Sequence, residues 1–146
     1  MNNSTPVSGL ASGPLKTQLI LNFELIASHS LSVRETPHNH LWRIKVIIAG
    51  EPQEGMILNM VDVRLRFKTV IEQLANSHLN DNPNLPPQAA QTPTCETLAA
   101  HFYTVFSEVL ARDFLVQNPS VQLSAIEVEL YEPNGHEWGS ARLERH

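Results

Sequence analysis

His38 and His40 flank Asn39 in a chain that carries seven histidines. Residues two apart lie on one face of a β-strand. Continued without a bulge, the parity of the two histidines is that of Trp42, Ile44 and Val46, the apolar positions of the strand they enter. His29 extends the apolar parity of Leu19, Leu21, Phe23, Leu25 and Ala27 in the same way. Three imidazoles on the apolar faces of two adjacent strands suit a three-histidine metal site. Such a site leaves a fourth position for water or substrate, the arrangement of catalytic rather than structural zinc. Three neutral nitrogens without a thiolate suit Zn2+ best, although a recombinant sample can carry nickel or copper instead. The competing reading is three ordinary, partly buried histidines bonded to backbone or solvent, and the third histidine on the matching parity favours the metal.

Glu132 is the second residue out of place. Ile126, Val128 and Leu130 set the inward parity of a late strand, and Glu132 continues it. A carboxylate facing a core costs free energy unless it is paired. Either Glu132 anchors the donor pair of a guanidine-like ring edge, or the strand ends at Tyr131 and Glu132 turns into solvent beside Pro133. The spacing leaves both open. Cys95 stands where a helix N-terminus could activate a thiolate, but a small packing residue is the preferred reading. His101, beside Phe102 in a helix, reads as structural, and His136 and His146 as solvent-exposed.

The elements that must position these groups follow from periodicity. Residues 1–16 mix Ser, Asn, Gly and Pro and read as a mobile tail, leaving 17–146 as one domain. A strand starts at Thr17, and a second runs over residues 41–48 before the Gly50-Glu51-Pro52 turn. Val63, Phe67, Val70, Ile71 and Leu74 then fall at helical spacing, with Asn59 or Asp62 available as N-cap. Residues 80–93 hold four prolines and read as loop. A second helix is expected from Thr94 to about Arg112, with Leu98, Phe102, Val105 and Val109 as its buried stripe and Glu96 favourably placed in its first turn. Strands over 121–132 and 136–143 close the chain around Pro133-Asn134-Gly135. The order β-β-α-α-β-β is α+β, a four-stranded antiparallel sheet with two helices on one face.

The 146 residues, 42% hydrophobic, are enough for one real core. A net charge of −5 without a basic block excludes a phosphate-tracking nucleic-acid binder. No apolar run approaches the ~20 residues of a membrane span, and no signal pattern opens the chain. A lone cysteine excludes a disulfide framework. A soluble, cytoplasmic protein is expected.

The runs Ala27-Ser28-His29, His38-Asn39-His40, Gly55-Met56-Ile57, Leu79-Asn80, Pro93-Thr94-Cys95-Glu96 and Tyr131-Glu132-Pro133 resemble the 6-pyruvoyl-tetrahydropterin synthase family. That family includes the 6-carboxy-tetrahydropterin synthases of queuosine biosynthesis. The resemblance spans residues 17–144, in the family's order and spacing. It implies a tunnelling-fold (T-fold) subunit assembled as a homohexamer with active sites between subunits. It also implies zinc on His29, His38 and His40, Glu132 as the pterin anchor, and Thr94 and Glu96 lining the substrate pocket. The implied activity is that of a lyase acting on 7,8-dihydroneopterin triphosphate or a related reduced pterin.

The departures from the family pattern fall at the acid–base positions. Arg34 stands nearest the usual proton-abstracting cysteine, and Arg is too basic to accept a proton at neutral pH. Glu35, one residue on, is the substitute base. Ala75 and Asn76 replace the usual Asp-His pair, with His78 two residues later as the second catalytic candidate. Asn59 stands for a frequent Asp, and Asn39 for the middle Gly of H-G-H. The expectation is therefore a zinc-dependent enzyme with a rewired base set of Glu35 and His78. The alternative is a homologue that binds zinc and a pterin without the synthase reaction.

Overall fold

A computed structural model describes residues 15–146. Most of the tail expected over 1–16, up to residue 14, lies outside the described residues. The elements are strand β1 (Gln18–His29), strand β2 (His38–Ala49), helix α1 (Met60–Glu72), a 3-10 turn (Leu79–Asp81), helix α2 (Pro87–Gln91), helix α3 (Cys95–Asp113), strand β3 (Gln122–Tyr131) and strand β4 (Glu137–Glu144). The four strands form one antiparallel sheet in the order β1-β2-β3-β4. With α1 and α3 packed on it, this is the expected α+β arrangement.

The alternation in the sequence places the core. Leu21, Phe23, Leu25 and Ala27 of β1 and Trp42, Ile44, Val46 and Ile48 of β2 are buried on the helix side. Val63, Phe67, Val70 and Ile71 of α1 meet them, and Phe106 of α3 stacks on Phe67 at 4.2 Å and on Phe102 at 5.4 Å. The buried stripe of α3 is Leu98, Ala99, Phe102, Phe106, Val109 and Leu110. Val105, expected in that stripe, is only partly buried, and Phe106 takes the central place. The opposite sheet face is charged: Arg43 pairs with Glu24 at 2.8 Å and lies over the Tyr131 ring, while Lys45 and Arg142 bracket Glu127. Such exposed pairs each contribute at most about 1 kcal/mol, so that face is held by solvation more than by attraction.

Caps fix the helix starts. Asn59, not Asp62, caps α1, its side chain accepting from the backbone N–H groups of Val61 and Asp62. Thr94 caps α3 in a reciprocal box with Thr97. The proline-rich stretch is not wholly loop. It contains the end of the 3-10 turn and the five-residue α2, because Pro87 sits at a first-turn position where its missing N–H costs nothing and its fixed φ suits a helix.

Two local features shape the end of the sheet where the histidines lie. Residues 76–78 run parallel to the outer edge of β1: Asn76 N–H donates to the Ile26 carbonyl at 2.6 Å, and Ser28 N–H to the Ser77 carbonyl at 3.0 Å. Asn76 reaches this path at φ 55°, a left-handed conformation that Asn tolerates better than most residues. The β3–β4 ladder carries a bulge, since Leu130 faces Gly139 whereas Tyr131 faces Glu137. Trp138 is the extra residue.

Candidate metal centre

His29 and His38 face each other across the β1–β2 ladder, and His40 lies opposite Ala27. The pleat directs all three imidazoles to one side, at ring separations of 5.0 Å (His29–His40), 6.1 Å (His29–His38) and 6.0 Å (His38–His40). One ligand nitrogen from each lies within 4.8 Å of the other two. His29 and His40 are buried, as their parity predicts. His38 is exposed, being the first residue of β2, so the cluster has a floor in the core and an open mouth at the sheet's end.

Each ring has an oxygen partner on Nδ1. His29 donates to the Pro93 carbonyl at 2.7 Å and His40 to the Tyr131 carbonyl at 3.0 Å. His38 Nδ1 lies 3.3 Å from Glu35 Oε1. An oxygen on one nitrogen sets the tautomer and leaves the other nitrogen's lone pair for a metal. His40 Nε2 is the atom that this leaves stranded, buried and without a hydrogen-bond partner among the described residues. Burial, only partly offset by the Pro93 bond, holds His29 below the ordinary histidine range, so it is neutral at pH 7, the form that ligates. Three nitrogens bound tetrahedrally at zinc distances stand about 3.3 Å apart, and modest ring rotation closes the present spacing to that value. The residues fit a three-nitrogen zinc site.

The carboxylate beside it is Glu132. β3 ends at Tyr131, as in one of the two readings of its spacing, yet Glu132 is half-buried rather than solvated. Its Oε1 accepts the indole N–H of Trp138, whose ring lies 5.2 Å from that of His40. Glu132 thus stands on the histidine side of the sheet. Thr94 is occupied as the α3 cap, and Glu96 lies exposed in the first turn of the same helix. Their neighbour Pro93 supplies the carbonyl to His29, which ties the Pro-Thr-Cys-Glu segment to the centre through its backbone.

His78 is elsewhere in the chain. Its Nδ1 lies 2.9 Å from Ser28 Oγ, and Ser28 projects from the face of β1 opposite to His29. Asn80 grips the backbone on both sides of Ser30, accepting from its N–H at 2.9 Å and donating to its carbonyl at 2.8 Å, which holds the chain as it leaves His29. Arg34 is exposed, and Asn76 serves the β1 edge through its backbone. Burial, with repulsion from Glu96, Glu129 and Glu137, pushes the Cys95 thiol up to about 11. It is a neutral packing residue, not a thiolate. A groove of about 920 Å³ lined by Arg43, Arg64, Lys68, Glu129 and Tyr131 includes none of the three histidines.

Sequence reasoning missed the Pro93 and Tyr131 carbonyls, Ser28 and Trp138. Backbone oxygens carry no residue signature. Trp138 reaches His40 only through the bulge, which no parity count reveals.

Comparison with known proteins identifies the fold and the family. A sequence model of 6-pyruvoyl tetrahydropterin synthase matches residues 18–142. Among solved structures, an uncharacterized protein from Wolinella succinogenes is 16% identical at a TM-score of 0.66, covering 91% of this chain and 100% of that one. The 6-pyruvoyl tetrahydropterin synthase of Caenorhabditis elegans is 15% identical at 0.62, covering 90% and 97%. That of Plasmodium vivax is 15% identical at 0.63, covering 91% and 99%, and a Glu-to-Cys variant of it is described as a catalytic-residue mutant. At such identities the likeness in structure carries the fold, and the match over residues 18–142 carries the family: this chain belongs to the 6-pyruvoyl tetrahydropterin synthase family.

Proposed function

We propose that the protein is a zinc-dependent lyase acting on 7,8-dihydroneopterin triphosphate or a related reduced pterin, in the manner of a 6-pyruvoyl- or 6-carboxy-tetrahydropterin synthase. The observation that carries this reading is the histidine trio, with an oxygen partner on every Nδ1 and the buried Nε2 of His40 left without one. His29, His38 and His40 would hold the ion, which when bound polarises substrate hydroxyl and carbonyl oxygens and stabilises charge developing on them.

The chain's own groups supply the rest. Glu132 takes the ring edge: the second oxygen of its carboxylate remains for the paired N–H donors of a 2-amino-4-oxo ring. Glu35 is the base. One of its oxygens meets His38, and the other is available to accept a proton from a substrate carbon held over the cluster. A catalytic glutamate has a counterpart in the Plasmodium vivax enzyme, where a glutamate replaced by cysteine is called a catalytic residue. Thr94 and Glu96 border the pocket at the start of α3.

His78 faces away from the trio of its own subunit, so an acid or base role for it would require a homo-oligomer, a hexamer by family resemblance, in which it serves the site of a neighbouring copy. Among the described residues β4 pairs on one side only, and such an open edge gains from joining a neighbour. Among the described residues no helix is long and apolar enough to cross a membrane.

The position of His78 also favours a second reading, a homologue that binds zinc and a pterin without the synthase reaction. Metal analysis followed by turnover of 7,8-dihydroneopterin triphosphate, with the product identified by mass, separates the two. About one zinc per chain with release of triphosphate is expected. Zinc with bound but unconverted pterin establishes the second reading, and absence of both zinc and pterin binding overturns each.

A further inference from the structure

The chain has two tryptophans, and both lie beside the histidine cluster in opposite circumstances. Trp42 is fully buried, its indole N–H donating to the Ala27 carbonyl and its ring 5.1 Å from His29. It belongs to the core. Trp138 is 59% exposed although it is the largest side chain of β4 and stands at the cluster's edge. A surface indole normally turns its polar edge to water and lays its face on the protein. Here the edge is turned inward: Nε1–H donates to Glu132 Oε1, and the ring meets His40 at 5.2 Å with 62° between planes.

The bulge is what makes this arrangement. With regular pairing, Trp138 would lie opposite Tyr131 and share its outer face. Because Leu130 pairs with Gly139 and Tyr131 with Glu137, Trp138 is displaced from the ladder onto the side of His40. Bulges serve to re-aim one side chain. The re-aimed one is a flat, exposed aromatic surface tethered at its edge to the carboxylate that stands beside the cluster. The tether also occupies one oxygen of Glu132 and fixes the direction of the other.

We propose that Trp138 is a binding residue of the site, a stacking platform for the planar ring of the substrate and the group that orients Glu132 toward that ring's N–H edge. This rests on the pterin reading above and adds to it the residue that selects a flat heteroaromatic ring. Stacking of a heterocyclic base on an aromatic side chain weakens binding by about 5-fold or more when the aromatic is removed. The Nε1–H bond to a carboxylate contributes a smaller factor, through orientation.

The test is calorimetric titration of the zinc-loaded full chain with 7,8-dihydroneopterin, which has the ring without the triphosphate, in the wild type, Trp138→Leu, Trp138→Phe and Glu132→Gln. Trp138→Leu is expected to raise Kd by about 10-fold. Trp138→Phe keeps the ring face and loses only the N–H, so a rise of about 3-fold is expected. Zinc content, melting temperature and native mass should stay at wild-type values in both Trp138 variants. Unchanged Kd in Trp138→Leu with weakened binding in Glu132→Gln overturns the platform and leaves the pterin reading standing. No binding by the wild type overturns both. Loss of zinc or a change in native mass in Trp138→Leu also overturns the proposal, assigning the indole to support of His40 or to a contact between copies.

Discussion

Replacing His40 by phenylalanine separates the metal centre from the fold. In the metal-free protein, His40 Nε2 is buried without a partner, which costs about 1–3 kcal/mol. His40→Phe removes that cost but leaves the Tyr131 carbonyl without the imidazole N–H it accepts at 3.0 Å, a loss of about 1 kcal/mol. The phenyl ring fills the space bounded by His29, Trp42 and Trp138, so no cavity penalty is added. The two polar terms oppose, and for a chain of this size each kcal/mol moves Tm by roughly 3 °C. The chelator-treated variant should therefore melt within about 3 °C of the chelator-treated wild type. With zinc the two part. Free zinc at 100 times its Kd stabilises the wild type by about 2.7 kcal/mol, a rise of roughly 8 °C, and the variant should gain none of it. Scanning calorimetry with and without zinc, at a concentration set from a competition titration of the wild type, reads both numbers. A variant that keeps most of the zinc increment would show that His40 is no ligand. A wild type with no increment and no bound metal would refute the centre itself.

Three further outcomes follow from other parts of the molecule. Glu35→Gln keeps an oxygen for His38 Nδ1 and removes the base, so zinc should stay bound, with affinity lowered at most about 100-fold, while turnover is lost; full turnover would dismiss Glu35. Asn118 is buried, its amide donating to the carbonyls of Glu51 at 3.0 Å and Ile57 at 2.8 Å, so Asn118→Ala should cost roughly 2–4 kcal/mol in chemical denaturation, and a loss under about 1 kcal/mol would show that water replaces the amide. Burial lowers the pKa of His101 from its ordinary 6.5, so the unfolded chain takes up that proton first and stability falls as pH drops below 6.5. His101→Gln should flatten this loss between about pH 7 and 5 in chelator-treated protein without abolishing it, because His29 is lowered by burial as well.

The fold was legible wherever one period ran long enough to be read. β1 alternates over its whole length, and its buried residues are those that the alternation picks out, from Leu21 to Ala27. Three histidines at matching parity were enough to bring the cluster together, because a strand of fixed pleat leaves little freedom in where the side chains of residues 38 and 40 point. The proline stretch holds a helix that its prolines conceal, because the rule against proline in helices fails at the first turn, where Pro87 sits. The buried stripe of α3 runs through Phe106, with Val105 at its margin, because Leu98, Phe102, Phe106 and Val109 share one helix face and Phe67 offers Phe106 a stacked partner at 4.2 Å.

The parts of the site that were not legible share a physical cause. Identity and spacing specify which side chains can meet only while the ladder is regular, and the chemistry here collects where regularity ends. His38 opens β2, His29 closes β1, Glu132 follows the last residue of β3, and Trp138 is displaced at the start of β4. Where regular elements end the backbone has carbonyls to spare, and two of them, that of Pro93 just before α3 and that of Tyr131 at the end of β3, hold the imidazoles of His29 and His40. A regular ladder would have used such groups itself. The same irregular end exposes His38 and the face of Trp138 to the outside. A metal ligand set needs rigid support on one side and access on the other, and this sheet end supplies both: the interior strands fix His29 and His40 from below, while His38 and Trp138 stay exposed above.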